Sequence, residues 1–306
     1  MASYCSLLYV GVFLPAVVLC YALMPQRHRG KVLLAASYVF FWSVSGKLVV
    51  FLLASSFSLH HFGLWLTSVQ EERGRALAAA DKASRREIKA DFQRRLRRIL
   101  LFAVLLHIGT LLTLKYAAFF SANLNTLLDA LRLPVALPIP AFVLPIGISF
   151  YTLQAAAYLI DVYRGTVSAD RNLGRLMLFL GFFPQIMEGP ICRYAQTAHP
   201  LWEGRPLTWL NLTYGMQRIL FGMMKKIVIA DRLNILIKNV FADYAAFDGG
   251  ITALAMVCYT CQLYMEFSGT MDVVIGSAEI FGVRLPENFR QPFFSKSIPE
   301  FWMRWH

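Results

Sequence analysis

The C-terminal end of the chain combines a histidine with a tryptophan at helical spacing. Residues 285–293 contain two prolines that forbid a continuous helix, and Ser297 with Glu300 then matches a capping box that starts a new one. On that helix Trp302 and His306 are four residues apart and share a face, so an indole stands beside the imidazole. A buried imidazole stays neutral near pH 7 and accepts protons. This arrangement could hold a catalytic base.

Several ionisable side chains lie inside otherwise apolar stretches, where each costs at least about 2.5 to 3.5 kcal/mol at the centre of a bilayer. Such residues face a cavity or a partner, which makes them candidates for function. They are Lys115, Asp161, Glu188, Glu266, Asp272 and Glu279. Gly269, Asp272, Gly276 and Glu279 recur at spacings of 3, 4 and 3, so they form one helical stripe. The stripe is typical either of a tight helix contact with paired carboxylates or of direct chemistry.

Three cations share one face of an apolar helix, because Arg218 precedes Lys225 and Lys226 by seven and eight residues. They predict contact with the phosphate of a donor at the cytosolic surface or, alternatively, anchoring to lipid headgroups. Arg193 follows a Gly-Pro break. We therefore expect irregular backbone that lines a cavity around this break, where Glu188 can pair with Arg193.

The composition indicates which environment must position these residues. Of 306 residues, 57% are hydrophobic and 16% are charged, whereas soluble domains carry about 25% charged residues. This excludes a disordered chain, a disulfide scaffold and a nucleic-acid binder, although the formal net charge is +12. The five cysteines are scattered without zinc-type spacing, so no metal site is predicted. The chain is expected to be a membrane protein.

Apolar stretches long enough for ~30 Å of hydrocarbon predict an all-α, polytopic integral membrane helical bundle with short, re-entrant and interfacial helices. Residues 1–306 are expected to form a single membrane domain. The strong spans are Tyr4–Met24, Lys47–Val69, Ile99–Phe120 and Pro140–Tyr163. The weaker ones are Lys31–Val44, Leu173–Pro190, Leu207–Ala230, Ile251–Phe267 and Gly269–Phe281.

The positive charges predict how the chain is oriented in the membrane. Arg27, Arg29 and Lys31 form one basic loop, and residues 71–98 form a basic cytosolic interfacial loop with ten Lys/Arg and five Asp/Glu. The segment 121–139 is nearly neutral. The positive-inside rule then predicts a multi-pass protein of the cell membrane, bacterial inner or plasma membrane, whose N-terminus lies outside.

Several motifs resemble one family, the membrane-bound O-acyltransferases. The resemblance is to the branch of alginate and peptidoglycan O-acetyltransferases and teichoic-acid D-alanyl transferases. It is carried by Phe-Phe-Pro-Gln and Gly-Pro-Ile-Cys-Arg-Tyr within 182–194, Pro-Glu-Asn-Phe at 286–289, and Phe-Trp-Met-Arg-Trp-His at 301–306, with further matches at 144–151, 161–165 and 225–232. Residues 6–25 are more similar to the alginate type. The chain departs from the pattern at Met303, Glu266 and Thr270-Met271.

The resemblance implies an O-acyltransferase of MBOAT-like fold that transfers acetyl groups to hydroxyls of a cell-surface or exported polysaccharide. No cofactor is expected to be bound; the donor is acetyl-CoA or another acyl thioester from the cytosol. The acceptor is the polysaccharide or an extracytoplasmic acetyltransferase partner protein, and no nucleic acid is involved. Relatives continue to more helices and a second functional histidine, so this chain is expected to be the N-terminal part of a longer core.

The resemblance also assigns site residues. His306 is implied as catalytic, in a motif that lines a tunnel where the cytosolic donor meets the acceptor. Arg304 is expected to pair with Glu300 or with the donor. The residues expected to line the tunnel or the substrate are Trp302, Trp305, Arg304, Asn288, Glu266, Asp272, Glu188 and Arg193. Three alternatives stay open: a D-alanyl transferase to teichoic acid, a transporter or channel suggested by the intramembrane acids, and a non-catalytic fragment.

Overall fold

The computed structural model describes residues 4–305, most of which are helical and none of which belong to a β-strand. A π-helical turn, Tyr9–Phe13, leads into the first α-helix, and a second one, Met224–Ala230, joins α8 to α9. The α-helices are α1 Leu14–Leu23, α2 Gln26–Ser45, α3 Val49–Ala79, α4 Arg85–Ala130, α5 Ile148–Arg164, α6 Leu173–Gly181, α7 Tyr194–Glu203, α8 Trp209–Met223, α9 Asp231–Ala242, α10 Gly249–Ile280 and α11 Ile298–Arg304.

Two apolar helical segments of the described chain are long enough to cross a membrane. They are Gln26–Ala79, in which α2 and α3 follow each other, and Arg85–Ala130. At 1.5 Å per residue, α4 is roughly 69 Å long, more than twice the hydrocarbon thickness. Its side chains Phe102 and Leu105 are 61% and 66% exposed, as contact with lipid requires. The prediction of an all-helical membrane protein is confirmed at this level.

Two predicted spans have different bounds in the structure. The expected span Pro140–Tyr163 is helical only from Ile148, because prolines at 134, 138, 140 and 145 remove backbone donors and disfavour helix in the residues before them. The expected break near residue 268 is absent, since α10 runs through it as one helix of 32 residues. The basic segment 71–98 is mostly helical: α3 extends to Ala79 and α4 begins at Arg85.

The chain forms two compact units. The first comprises residues up to 36, 182–192 and from 199 onward; the second comprises Ser37–Gly181 and Arg193–Ala198. Packing of α8 against α10 dominates the first unit, whereas α3, α4 and α5 pack together in the second. Within the second unit, buried His107 donates a hydrogen bond from Nδ1 to the Ala103 carbonyl oxygen, 2.8 Å away. This is the core role that a lone intramembrane histidine most often has.

Two glycine pairs bring α8 and α10 into backbone contact. A Cβ atom on Gly222 would lie 2.4 Å from the carbonyl oxygen of Gly269, and one on Gly276 would lie 2.7 Å from that of Gly215. Both glycines of α10 belong to the stripe that the sequence shows. The interpretation of that stripe as a tight helix contact is therefore confirmed, and the close approach brings the polar side chains of the two helices together.

Candidate functional site

Asp272, halfway between the two glycine contacts, is held by two cations from the facing segment. Arg218 Nε lies 3.1 Å from its Oδ1, and Lys225 Nζ lies 2.7 Å from its Oδ2. Arg218 also holds Glu287 in the loop after α10, with 2.6 Å between Nη1 and Oε1. Both oxygens of the buried carboxylate thus have charged donors, which offsets much of the cost of removing it from water.

Lys226 makes a second set of ion pairs, one of them with a carboxylate that precedes Asp272 by six residues on α10. Its Nζ lies 2.9 Å from Glu266 Oε1 and 3.5 Å from Asp231 Oδ1. Gln262 Nε2 donates to the other oxygen of Glu266 at 2.6 Å. All three cations that the sequence singled out on this face therefore have carboxylate partners inside the first unit, a use that their spacing alone did not indicate.

A cavity of about 560 Å³ opens beside the second set of ion pairs. Its polar groups are Glu188, Glu266, Lys226 and Thr270, and its lining residues are Tyr4, Met187, Glu188, Lys226, Leu263, Glu266, Phe267 and Thr270. Two carboxylates and one ammonium give this cavity a net negative charge when all three are ionised. It is large enough to admit part of a substrate.

The irregular segment 182–192 forms one wall of this cavity. Tyr4 Oη donates to the Phe183 carbonyl at 2.8 Å and accepts from the Met187 amide at 3.0 Å. A Cβ atom on Gly189 would lie 2.3 Å from Gln185 Cα, so only glycine allows this tight turn. The motif residues Phe-Phe-Pro-Gln and Gly-Pro thereby fold into a compact turn that presents Glu188.

The end of the described chain folds back onto the loop after α10. Ser297 caps α11 by accepting from the Glu300 amide at 3.3 Å, and Glu300 pairs with Arg304 at 2.6 Å. The amide of Arg290 donates to the Arg304 carbonyl at 2.9 Å, which joins residues 289 and 305 in an antiparallel bridge. Residues 289 and 305, which belong to two motifs separate in the sequence, are therefore neighbours in space.

Four aromatic rings connect this bridge with the cavity; we call Phe267, Phe289, Phe301 and Trp305 the aromatic cluster. The Trp305 ring stacks on Phe301 with centroids 5.5 Å apart and stands perpendicular to Phe289 at 5.1 Å. Phe289 in turn meets Phe267, a lining residue of the cavity, at 5.2 Å. The aromatic cluster is thus a continuous wall from the cavity to Trp305.

The other predicted site residues in this part of the chain have different surroundings. Asn288 Nδ2 is 3.0 Å from Met271 Sδ on α10. Trp302 contacts Phe301 at 5.3 Å but is 64% exposed. His306, the predicted base, lies outside the described residues, although the preceding Trp305 is in the aromatic cluster.

Arg193 belongs to the second unit, where its carbonyl oxygen accepts from Thr197 Oγ1 at 3.1 Å. In the same unit Tyr194, its neighbour in the motif, donates a hydrogen bond to buried Asp170. Arg175 Nη2 also donates to Asp170, at 2.6 Å. Burial alone would raise the pKa of Asp170, but the hydrogen bonds from Arg175 and Tyr194 outweigh burial and lower it.

Sequence reasoning missed Asp170, because it lies outside the apolar stretches in which ionisable residues were sought. The sequence contained only a weak signal for this residue. Its partner Tyr194 belongs to the motif, next to Arg193, but Asp170 and Tyr194 are 24 residues apart in the sequence. Among residues 4–305, no group of three or more His, Cys, Asp or Glu is arranged to hold a metal ion.

Comparison with known proteins matches this chain along nearly all of its length. A probable alginate O-acetylase of Pseudomonas aeruginosa is 35% identical over 306 residues, which cover 98% of this chain and 54% of that protein. A peptidoglycan O-acetyltransferase of Helicobacter pylori is 31% identical over 244 residues, covering 68% of this chain and 43% of that protein. The chain belongs to the membrane-bound O-acyltransferase family.

A more distant branch of the family matches over a shorter range. A teichoic acid D-alanyltransferase of Bacillus subtilis is 32% identical over 166 residues, covering 53% of this chain and 41% of that protein. No family model matches the chain. The chain spans about half the length of the alginate O-acetylases it matches. The resemblance to this family that the motifs indicated is confirmed, and so is the greater similarity to its O-acetyltransferase branch.

Proposed function

We propose that this chain is part of a membrane O-acyltransferase that transfers acetyl groups to hydroxyls of a cell-surface or exported polysaccharide. The observation that carries the proposal is the 35% identity to an alginate O-acetylase over 98% of the chain. The similarity to a peptidoglycan O-acetyltransferase, whose name also specifies an acetyl group and a polymer, supports it.

The reaction needs a base, an activated acyl group and a sheltered place where the two substrates meet. The acceptor hydroxyl oxygen forms the new ester bond to the acyl carbon, while the carbon–sulfur bond of acetyl-CoA or another acyl thioester breaks. The hydroxyl proton passes to the base, for which we propose His306, and from there to the leaving thiolate. No cofactor is consumed in this scheme, since the thioester is a co-substrate.

We propose that the cavity beside Glu266 is part of the passage in which the acceptor reaches the base. The aromatic cluster supports this role, because it runs from Phe267 in the cavity wall to Trp305, the residue before His306. Glu188 and Glu266 are suited to accept hydrogen bonds from sugar hydroxyls. Asn288, Arg304 and Trp302 would shape the passage near its end, and Asp272 would hold α8 and α10 in register. Arg193, which belongs to the second unit, stays a prediction from the sequence.

We propose a multi-pass protein whose N-terminus is outside. This orientation determines which end of the first unit faces the cytosolic acyl donor. Tyr4 and Lys226 line the same cavity. Arg29, in the first turns of α2, lies beyond the other end of α1, where Tyr21 Oη donates to the Arg205 carbonyl at 2.8 Å. If Arg29 is cytosolic, Lys226 lies in the outer half of the protein. The two predictions, an external N-terminus and a cytosolic position of Lys226, therefore conflict.

Of the two predictions we propose the external N-terminus, because it depends on the distribution of many charges along the chain. Arg218, Lys225 and Lys226 then lie on the route between a cytosolic donor and the cavity, and not at the surface where the donor first binds. We further propose that the whole chain lies in one membrane domain, with residues 71–98 as its cytosolic basic segment, and that an extracytoplasmic acetyltransferase can serve as acceptor.

The test is ester analysis of the surface polymer from cells that lack the gene and from cells complemented with the full-length gene. The proposal predicts loss of acetyl esters and their return on complementation. Loss of D-alanyl esters with acetyl unchanged would show instead the activity named for the Bacillus subtilis relative. Unchanged levels of both esters would reject an O-acyltransferase of the polymer.

A further inference from the structure

A second polar pocket lies in the first unit at the N-terminal end of α8, far along the helix from the cavity. Its volume is about 280 Å³, and its lining residues are Arg205, Pro206, Thr208, Asn211, Glu279, Gly282 and Arg284. Lys226, beside the cavity, follows Arg205 by 21 residues, most of them in α8 and the π-helical turn after it. The pocket is therefore a separate site.

The two arginines of this pocket differ from the cations near the cavity. Arg218, Lys225 and Lys226 are paired with carboxylates, whereas neither Arg205 nor Arg284 has an acidic partner within 4.0 Å among residues 4–305. Arg205 Nη1 donates to the Gly282 carbonyl at 3.0 Å. This bond fixes the guanidinium and leaves most of its five N–H donors free.

The backbone that carries Arg205 is held tightly against the first turns of α2. The cations predicted to form a basic loop lie in this helix, so that prediction was wrong. A Cβ atom on Gly204 would lie 2.5 Å from the Gln26 carbonyl oxygen, and one on Gly30 would lie 2.6 Å from that of Trp202. The Arg205 carbonyl accepts hydrogen bonds from Tyr21 Oη at 2.8 Å and from Arg29 Nη1 at 3.3 Å. The arginine is thus presented from a rigid segment, which lowers the entropic cost of binding a ligand.

The electrostatics of the pocket favour an anion. Two guanidinium groups face one carboxylate, Glu279, which leaves a net charge of +1 on the lining, and Arg29 adds a nearby positive charge. Planar guanidinium groups bind both carboxylate and phosphate oxygens through paired hydrogen bonds. A phosphate has enough oxygens to accept such pairs from two guanidinium groups at once, whereas a carboxylate has two oxygens and a chloride presents no pair of acceptor atoms.

We propose that the pocket formed by Arg205 and Arg284 binds a phosphate group. With the N-terminus outside, the pocket faces the cytosol together with Arg27, Arg29 and Lys31. Two sources of phosphate are available there, an anionic phospholipid of the inner leaflet or a soluble phosphate-bearing molecule such as a nucleotide-containing acyl donor. The chemistry of recognition is the same in both cases, and it does not depend on which polymer is acylated.

The experiment measures binding of two probes to the full-length protein. The first probe is inorganic pyrophosphate, titrated by calorimetry against protein in a neutral detergent. The second is phosphatidylglycerol, competed against phosphatidylcholine in mixed nanodiscs, with retained lipid counted by native mass spectrometry. We expect the wild type to bind one or both probes, and the probe that binds identifies the source.

Three variants decide whether the pocket is responsible. Arg205→Gln with Arg284→Gln should weaken binding of the retained probe by about 10-fold or more, because each guanidinium contributes charge-assisted hydrogen bonds. Glu279→Gln should tighten it by roughly threefold, since it removes the only opposing charge in the lining. Arg27→Gln, an exposed cation outside the lining, is the matched control and should change affinity less than about twofold.

The Glu279→Gln variant keeps the test decisive if the double variant unfolds, because misfolding cannot increase affinity. The proposal is overturned if the wild type binds neither probe, if Arg27→Gln weakens binding as much as the double variant, or if Glu279→Gln fails to tighten binding. Each of these results can occur while the polymer is still acetylated, so failure here is distinct from failure of the proposed enzymatic activity.

Discussion

Replacing Gly269 by alanine tests whether backbone contact between α8 and α10 holds the candidate site together. The new Cβ atom would lie 2.7 Å from the Gly222 carbonyl oxygen and 3.1 Å from Lys225 Cβ. Carbon and oxygen atoms in such contacts normally stay about 3.3 Å apart or more. The helices must therefore separate by roughly 0.6 Å at this point, which also displaces Lys225 from its 2.7 Å ion pair with Asp272.

Overpacking of this kind costs about 1 to 3 kcal/mol, so the midpoint of thermal unfolding should fall by roughly 2 to 10 °C. The matched control is Gly249→Ala in the same helix, where a Cβ atom meets nothing within 4 Å. That variant should be neutral or slightly stabilising, because alanine favours helix over glycine. The midpoints of thermal unfolding of both variants are measured on the full-length protein in the same detergent. Equal melting temperatures for the two variants would refute the close-contact account.

Three further predictions concern the second unit and α11. Asp170→Asn should destabilise the protein by about 2 to 3 kcal/mol in thermal or denaturant unfolding, since a buried carboxylate with charged donors is lost, whereas Asp91→Asn, in an exposed ion pair, should change stability by less than about 0.5 kcal/mol. The lowered pKa of Asp170 means that its contribution is complete above its unfolded pKa of about 3.9 and is lost as the pH falls through the lower folded value. Unfolding midpoints of the wild type should therefore fall more steeply than those of Asp170→Asn below about pH 4; parallel curves would contradict this. Ser297→Ala should cost about 1 kcal/mol through loss of the cap of α11, and Ser297→Asp, which can still cap, should not.

The sequence predicted those features that follow from local chemistry. The spacing of Gly269 and Gly276 indicated a close helix contact, and the prolines of 285–293 indicated a loop before a capped helix; the structure has both. The pair Glu300–Arg304 also follows from i, i+4 spacing, and it lies at 2.6 Å.

Features that depend on distant parts of the chain could not be predicted in the same way. Which carboxylates pair with Arg218 depends on how α10 and the following loop pack against α8. In the sequence, Arg218 is 54 residues from Asp272 and 69 residues from Glu287. The pocket at Arg205 and Arg284 likewise joins residues on either side of three helices. Arginines at helix ends also occur for reasons of topology alone, so their sequence positions carried no signal.

The partners of the intramembrane acids in the structure favour a different interpretation of these residues from the one that their positions in the sequence suggested. Asp272 and Glu266 suggested a transporter or channel when they were considered as isolated charges. In the structure Asp272 has two cationic partners and Glu266 has Lys226 and Gln262. Carboxylates that have such partners require no transported ion to compensate their charge.

The proposed function depends most directly on His306, which resemblance to the family assigns to catalysis. The decisive measurement is the acetyl ester content of the exported polysaccharide in cells that carry the full-length gene with His306→Ala, normalised to the amount of protein in the membrane. His28→Ala, in the first turn of α2, is the matched control. We predict that acetylation falls to the level of the deletion strain for His306→Ala and stays at the wild-type level for His28→Ala. Undiminished acetylation by the His306→Ala protein would contradict the account.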